Sequence, residues 1–204
     1  MKRGKYELKK RAEREQETRL RITRATVELH ETVGPALTTR SAIAERAGVS
    51  RPTVYSHFPD ELSLGKACSS LDLSENPLPD PGMWEQIADP ERRLRVALSE
   101  LYDYFRRREG LLANILRDQE MPHLKDDPDV REIMRPIVNH GERMQRALAM
   151  GWEIHKSHTP PLLQGAIRLA LDFQNWRTMV RKQGMTDEQA VELMARMVRC
   201  VRQG

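Results

Sequence analysis

Five side chains able to hydrogen-bond a nucleic acid fall within seven residues: Arg51, Thr53, Tyr55, Ser56 and His57. They belong to the stretch TTRSAIAERAGVSRPTVYSHF, residues 38–58. Wound as a helix, this segment puts Val54 and Phe58, spaced i, i+4, on one face. Arg51, Pro52, Tyr55 and Ser56 fall opposite, with Thr53 and His57 flanking them. A guanidinium, hydroxyls and an imidazole on one exposed helical face suit the base edges and phosphates of a DNA groove.

Such a face needs elements that hold it. Thr38 is expected to cap a first helix, its hydroxyl accepting a free amide. Ile43, Ala44 and Ala47 then face inward, with Arg40, Ser41, Glu45 and Arg46 outside. Gly48 supplies the left-handed residue that ends that helix, and Val49 tucks inward. Ser50 caps the next helix, Pro52 falls in its first turn, and Pro59 stops it. In Ala44-x3-Gly48-x5-Val54 a small residue permits a close crossing, a glycine makes the turn, and a branched residue fills the crossing. This is helix-turn-helix geometry, with the second helix offered to the major groove. The spacing alone is shared with helical hairpins that touch no DNA.

The run from Ile22 to Leu64 resembles the DNA-binding domain of the TetR (tetracycline-repressor-like, AcrR) family. Ile43-Ala44, Ala47-Gly48-Val49-Ser50, Thr53-Val54-Tyr55 and His57-Phe58 carry the resemblance. Residues 169–201, LALDFQNWRTMVRKQGMTDEQAVELMARMVRCV, resemble the last two helices of many members. The resemblance implies an all-α fold. An N-terminal three-helix helix-turn-helix DNA-binding domain would be followed by a C-terminal helical ligand-binding and dimerisation domain. It implies a homodimeric one-component transcriptional regulator, a repressor, on a palindromic double-stranded operator, released by a small-molecule effector. By the helical face and the resemblance together, Arg51 would take a guanine and Pro52 a thymine methyl. Thr53 and Ser56 would meet base edges or backbone, and Ser50 is counted among the DNA-binding residues. Thr39, Tyr55, His57 and Lys66 would hold phosphates. One departure stands out: where members usually carry a lysine two residues after Pro59, this chain has Glu61, and the nearest basic residue is Lys66. An alternative is a ligand-binding module with the same fold but no specific DNA binding.

Charge is distributed unevenly. Residues 1–24 hold ten Lys/Arg and four Glu, a net of +6, against +4 for the 204-residue chain. The positive charge thus lies beside the motif, where phosphates would be. The other reading is a solvated basic tail, with residues 1 to about 10 partly disordered. Cys68 and Cys200, far apart and without a CxxC, fit a reducing cytoplasm and packing roles. No segment approaches 18 uninterrupted apolar residues, so no membrane partner is expected, and the basic N-terminus lacks the apolar core of a secretory signal.

Helices are expected throughout. The first spans about Glu13 to Thr32, ended by Gly34-Pro35. Asp60 caps a helix linking two domains, after which SENPLPDPGMWEQIADP, residues 74–90, reads as a loop anchored by Trp84. Further helices follow Leu94 to Phe105, Leu111 to Leu116, and Val130 to Leu148, the last carrying Pro136. Leu163 to Val180 reads as the penultimate helix, ended by Gly184. Thr186 with Gln189 opens the last as a capping box. The expected organisation is a basic tail at 1–12, the helix-turn-helix domain at 13–65 and an effector and dimer domain at 66–204.

Nine of ten methionines and all three tryptophans lie after residue 80, which suits either a ligand pocket or ordinary core. Tyr102, Phe105, Met134 and Trp152 are the pocket candidates. Leu163, Ile167, Ala170, Met194, Met197 and Val201 are the candidates for a dimer seam. No catalytic constellation is expected. Glu120-x-x-His123 contains Pro122 and has no second copy, and His155 and His158 precede Thr159-Pro160-Pro161. Neither a Gly-rich phosphate loop nor a nucleophile elbow occurs, so no metal, cofactor or enzymatic activity is expected.

Overall fold

The computed structural model describes residues 2–122, 124–152 and 161–203, which are helical with no strand among them. The helices are α1 (Lys2–Thr32), α2 (Arg40–Ala47), α3 (Arg51–His57), α4 (Glu61–Glu75), α5 (Pro81–Glu85) and α6 (Pro90–Arg107). Then come α7 (Glu109–Gln119), α8 (Pro128–Ala149), α9 (Pro161–Leu171), α10 (Phe173–Arg177) and α11 (Asp187–Gln203). They form two compact units. The first comprises residues 1–77 and 110–134, the second residues 78–109 and 135–204.

The first unit is built on α1–α4. Ile22, Ala25 and Leu29 of α1 pack with Ile43, Ala44 and Ala47 of α2, Val54 of α3, Phe58, and Leu64 and Cys68 of α4. Sequence-local N-caps set the starts: Thr39 accepts from Ala42 N, Ser50 from Thr53 N and Asp60 from Ser63 N. Each satisfies an amide the helix itself leaves orphaned. The cap of α2 is therefore Thr39 and not Thr38, whose hydroxyl instead donates to Gly34 O.

α7 and the start of α8 belong to this unit. Asn114 Nδ2 donates to His30 O and Glu31 O, and Arg117 to Val33 O. The Asp118 carboxylate accepts from Ala36 N at 2.8 Å. Three side chains of α7 thus satisfy the backbone where α1 turns toward α2. α4 and α8 approach closely at Gly65, where any Cβ would run into the Ile133 side chain. The second unit packs α6, α9 and α11 around Leu94, Leu98, Leu101, Ile167, Ala190 and Val198. Arg93, 4% exposed, donates to the carbonyls of Trp84, Ile87, Ala147 and Met150. It ties the end of α5 to the end of α8, where orphan carbonyls gather.

Several sequence expectations change. α1 begins at Lys2, well before Glu13, because Lys, Arg, Glu and Gln sustain a helix without tertiary contacts. The 74–90 loop contains α5, started by Asp80 and Pro81, and Trp84 is buried as expected, its Nε1 donating to Glu100. The penultimate helix is broken: Asp172 recaps the chain between α9 and α10, and a π-helical turn follows at Thr178–Lys182. The expectation that Arg40 lies outside is overturned, since Arg40 is 8% exposed. The capping box at Thr186 and Gln189 forms in both directions. His123, His155, His158, Thr159 and Pro160 lie outside the described residues.

Candidate nucleic-acid interface

The α2–α3 turn is fixed from within. Gly48 adopts φ +62°, which a side chain would strain. Val49 N donates to Ala44 O and Gly48 N to Glu45 O, closing the end of α2. Arg21 of α1 donates to Ala47 O and Gly48 O, so the carbonyls of the turn are held by a guanidinium. Arg19 does the same at the far end of α3, donating to His57 O at 2.7 Å with its guanidinium 4.0 Å from the Phe58 ring centroid.

With both ends pinned, α3 has one face left for solvent. Val54 and Phe58 are fully buried. Arg51, Pro52, Tyr55 and Ser56 are exposed, and Thr53 and His57 are half-buried beside them. The spacing in sequence and the burial in structure agree residue by residue along this helix. Ser50 and Thr53 are partly committed already, their hydroxyls 2.7 Å apart while Ser50 Oγ accepts from Thr53 N. Thr39 is likewise the cap of α2.

Sequence reasoning missed the ion pair behind this face. Arg40 donates from Nε to Glu61 Oε1 at 3.0 Å and from Nη1 to Phe58 O at 2.9 Å. Its guanidinium stands 5.3 Å from the Tyr55 ring centroid, and that of Arg51 stands 5.7 Å from the same ring. Arg51 Nη2 also reaches Tyr55 OH at 3.5 Å. Tyr55 is thus set between two cations, one anchored by Glu61. An acidic residue at position 61 and an arginine at 40 are visible in the sequence, but their pairing needs α4 folded beside α2. Lys66, on the same helix as Glu61, is half-exposed and pairs with Glu132 of α8 at 2.9 Å.

Residues 22–64, which contain this whole arrangement, match the bacterial regulatory proteins of the tetR family. The chain carries the helix-turn-helix domain of the TetR family. Solved structures of regulators extend the likeness in fold to nearly all of the chain. NalD of Pseudomonas aeruginosa, described as the secondary repressor of the MexAB-OprM multidrug efflux pump, is 25% identical with a TM-score of 0.60. That alignment covers 92% of this chain and 96% of NalD. The TetR-family regulator PfmR of Thermus thermophilus is 19% identical, TM-score 0.58, covering 90% and 95%. FadR of Bacillus subtilis, solved with stearoyl-CoA, is 18% identical, TM-score 0.57, covering 91% and 98%. A comparison with curated proteins finds no match. The TetR fold of this chain is all-α, with the helix-turn-helix at its N-terminal end.

The second unit shows where the remaining candidates fall. Tyr102 is fully buried, its hydroxyl donating to Ala170 O. Phe105 packs edge-on to Phe173 at 5.4 Å and lies 5.7 Å from Trp176. These rings fill core rather than line a space. Met134 is half-buried and belongs to the first unit. Trp152 does border a cleft, of about 590 Å³, together with Asp89, Pro90, Glu91, Arg199 and Arg202. Its indole Nε1 is buried without a hydrogen-bond partner among the described residues.

Of the seam candidates, Leu163, Ile167, Ala170 and Met194 are at most 5% exposed within the single chain. A side chain with no exposed surface has none left to bury against a second copy, so the structure assigns these four to the core. Met197 and Val201 keep partial exposure. Leu162, Leu169 and Leu193, at 76%, 53% and 41% exposed, are the apolar residues that α9 and α11 leave open. Among the described residues no group of His, Cys, Asp and Glu is disposed to hold a metal ion, and no helix is long and apolar enough to cross a membrane.

Proposed function

We propose that this protein is a one-component transcriptional repressor that binds a palindromic operator as a homodimer and is released by a small molecule bound in its second unit. The observation that carries the reading is the outer face of α3, where Arg51, Pro52, Tyr55 and Ser56 stand exposed on a helix pinned at both ends. On this reading Arg51 donates two hydrogen bonds to a guanine and Pro52 meets a thymine methyl. Thr53 and Ser56 meet base edges or backbone. Ser50, Thr39, Tyr55, His57 and Lys66 contribute phosphate contacts that fix orientation rather than sequence. The repressor role is supported by the likeness to NalD, itself a repressor.

Dimerisation is supported by the exposed Leu162, Leu169 and Leu193 on the last helices, since two such faces would shield each other from water. An effector acts only by binding one arrangement of the dimer more tightly than the other. The cleft beside Trp152 is the space in the second unit where such a ligand would be sought first.

The test is selection of bound sequences from a random duplex library by the purified protein. An enriched palindrome supports a dimeric sequence reader. Sequence-blind binding by folded protein favours the second reading, a ligand-binding module without a specific operator. Two points favour that reading: Glu61 is acidic where the family resemblance implies a lysine, and Lys66 is engaged by Glu132.

A further inference from the structure

α1 runs far beyond the core it helps to build. Ile22, Ala25 and Leu29 are its buried residues in the core, yet the helix starts at Lys2. Every described side chain from Tyr6 to Glu17 is exposed. Residues 6–17 therefore form about 18 Å of helix with no core contact, at ~1.5 Å per residue.

The place where this helix leaves the domain is set by two arginines. Arg19 donates to His57 O at the end of α3, and Arg21 donates to the carbonyls of the α2–α3 turn. The free segment of α1 thus begins beside the same helix and turn that present Arg51 and Tyr55. Its charge increases outward. Residues 2–11 contain six Lys/Arg and a single acidic residue, Glu7, whereas Glu13, Glu15 and Glu17 lie nearer the domain. Lys9 pairs with Glu13 at 3.8 Å, an exposed i, i+4 contact that leaves Lys10, Arg11 and Arg14 for other partners.

The composition also says what kind of partner fits. Tyr6 and Leu8, the large apolar residues here, are two positions apart and point to different sides of the helix. No i, i+3, i+4, i+7 apolar stripe exists for a partner helix or a lipid surface. A polyanion is complementary to what is present.

We infer that residues 6–17 of α1 are a helical arm that lies along the DNA phosphates flanking the operator half-site, a second nucleic-acid contact separate from the helix-turn-helix. The inference rests on the DNA-binding reading above. The arm adds affinity through counterion release and carries no sequence readout, because cations on phosphates do not distinguish base pairs.

The experiment substitutes Lys9→Gln, Lys10→Gln and Arg11→Gln together in the full chain. Glutamine keeps helix propensity close to that of lysine and arginine, so charge changes and the helix remains. Affinity for the selected operator is measured across a salt series, and the sequence selection is repeated. Successive residues on a helix point about 100° apart, so about two of the three can reach one backbone at a time. The expected result is a log–log salt slope flatter by about two units, with the same preferred sequence. An unchanged slope, with operator binding retained, overturns the arm. Loss of sequence preference with an unchanged slope also overturns it, since the arm would then be acting on α3. Absence of sequence-selected DNA for the unsubstituted protein is a different failure, one that removes the DNA-binding reading itself.

Discussion

Glu61→Lys tests whether the first turn of α4 faces a phosphate. Glu61 sits at the first position of that helix, with its side chain 77% exposed. The resemblance of residues 22–64 to the TetR family implies a lysine there. Replacing the carboxylate changes the local charge by two units. If the new ammonium takes a phosphate, one more counterion is released and the salt slope steepens by about 0.9. That is about eightfold tighter binding at ~0.1 M salt than the high-salt limit gives. The cost on the protein side falls on Arg40, which is 8% exposed and exchanges a carboxylate partner for an ammonium, so the variant is expected to melt lower than the parent. Arg40 keeps its bond to Phe58 O. The assay is affinity against salt for the selected operator and for a scrambled duplex of equal length. Both are expected to tighten by a similar factor, with the preferred sequence unchanged. Equal or weaker binding to both at every salt concentration, by a variant that remains folded at the assay temperature, would refute the placement of α4 against the backbone. Tighter binding to the scrambled duplex with weaker binding to the operator would instead give Glu61 its role through Arg40, as the anchor of Tyr55.

Four further outcomes are expected. Arg51→Ala should cost ~1–3 kcal/mol at the operator and relax preference at one base pair, read by repeating the sequence selection. An unchanged preference removes Arg51 from base readout. Leu169→Glu, on the open face of α9, should shift the protein toward monomer in sedimentation while leaving its helicity intact. Arg93→Ala leaves four carbonyls, two of them buried, without their guanidinium and should cost about 3 kcal/mol or more. For a chain of this size that lowers the melting temperature by about 6–12 °C, and a fall under ~2 °C would mean the desolvation of Arg93 cancels its bonds. His30 is held neutral, its pKa lowered from 6.5 to about 4 because burial outweighs the nearby Asp118 carboxylate. Between those values the unfolded chain takes up a proton that the folded chain refuses. Stability is therefore fully present above the ordinary value of 6.5 and falls as pH drops toward 4, by up to ~1.4 kcal/mol per pH unit. His30→Asn should flatten that slope in denaturant titrations, and an equal slope in both proteins would sink the assignment.

The solvent face of α3 was legible in the sequence because its determinants are local. Ser50, Pro52, Val54, Phe58 and the left-handed Gly48 act within a few residues of one another, and a 3.6-residue period alone then decides which side chains face out. The same holds for the capping box at Thr186 and Gln189, which closes over three residues. Locality fails where a residue's partner is distant. Arg40 reads as exposed from its helical position, yet it is buried because Glu61 and the Phe58 carbonyl, 21 and 18 residues away, converge on it. Lys66 reads as a free cation and pairs with Glu132, 66 residues away. Apolar stripes show the same limit in the second unit. Periodicity identifies that Leu163, Ile167, Ala170 and Met194 share the apolar faces of their helices. Whether such a face meets its own subunit or a second copy depends on what else folds against it. Here α6, α9 and α11 cover those four and leave Leu162, Leu169 and Leu193 open. The sequence by itself determined the outward face of α3 and the caps at Ser50, Asp60 and Thr186. Only the tertiary structure decided which charges are paired and which apolar surface remains, because pairing and burial are properties of distant segments brought together.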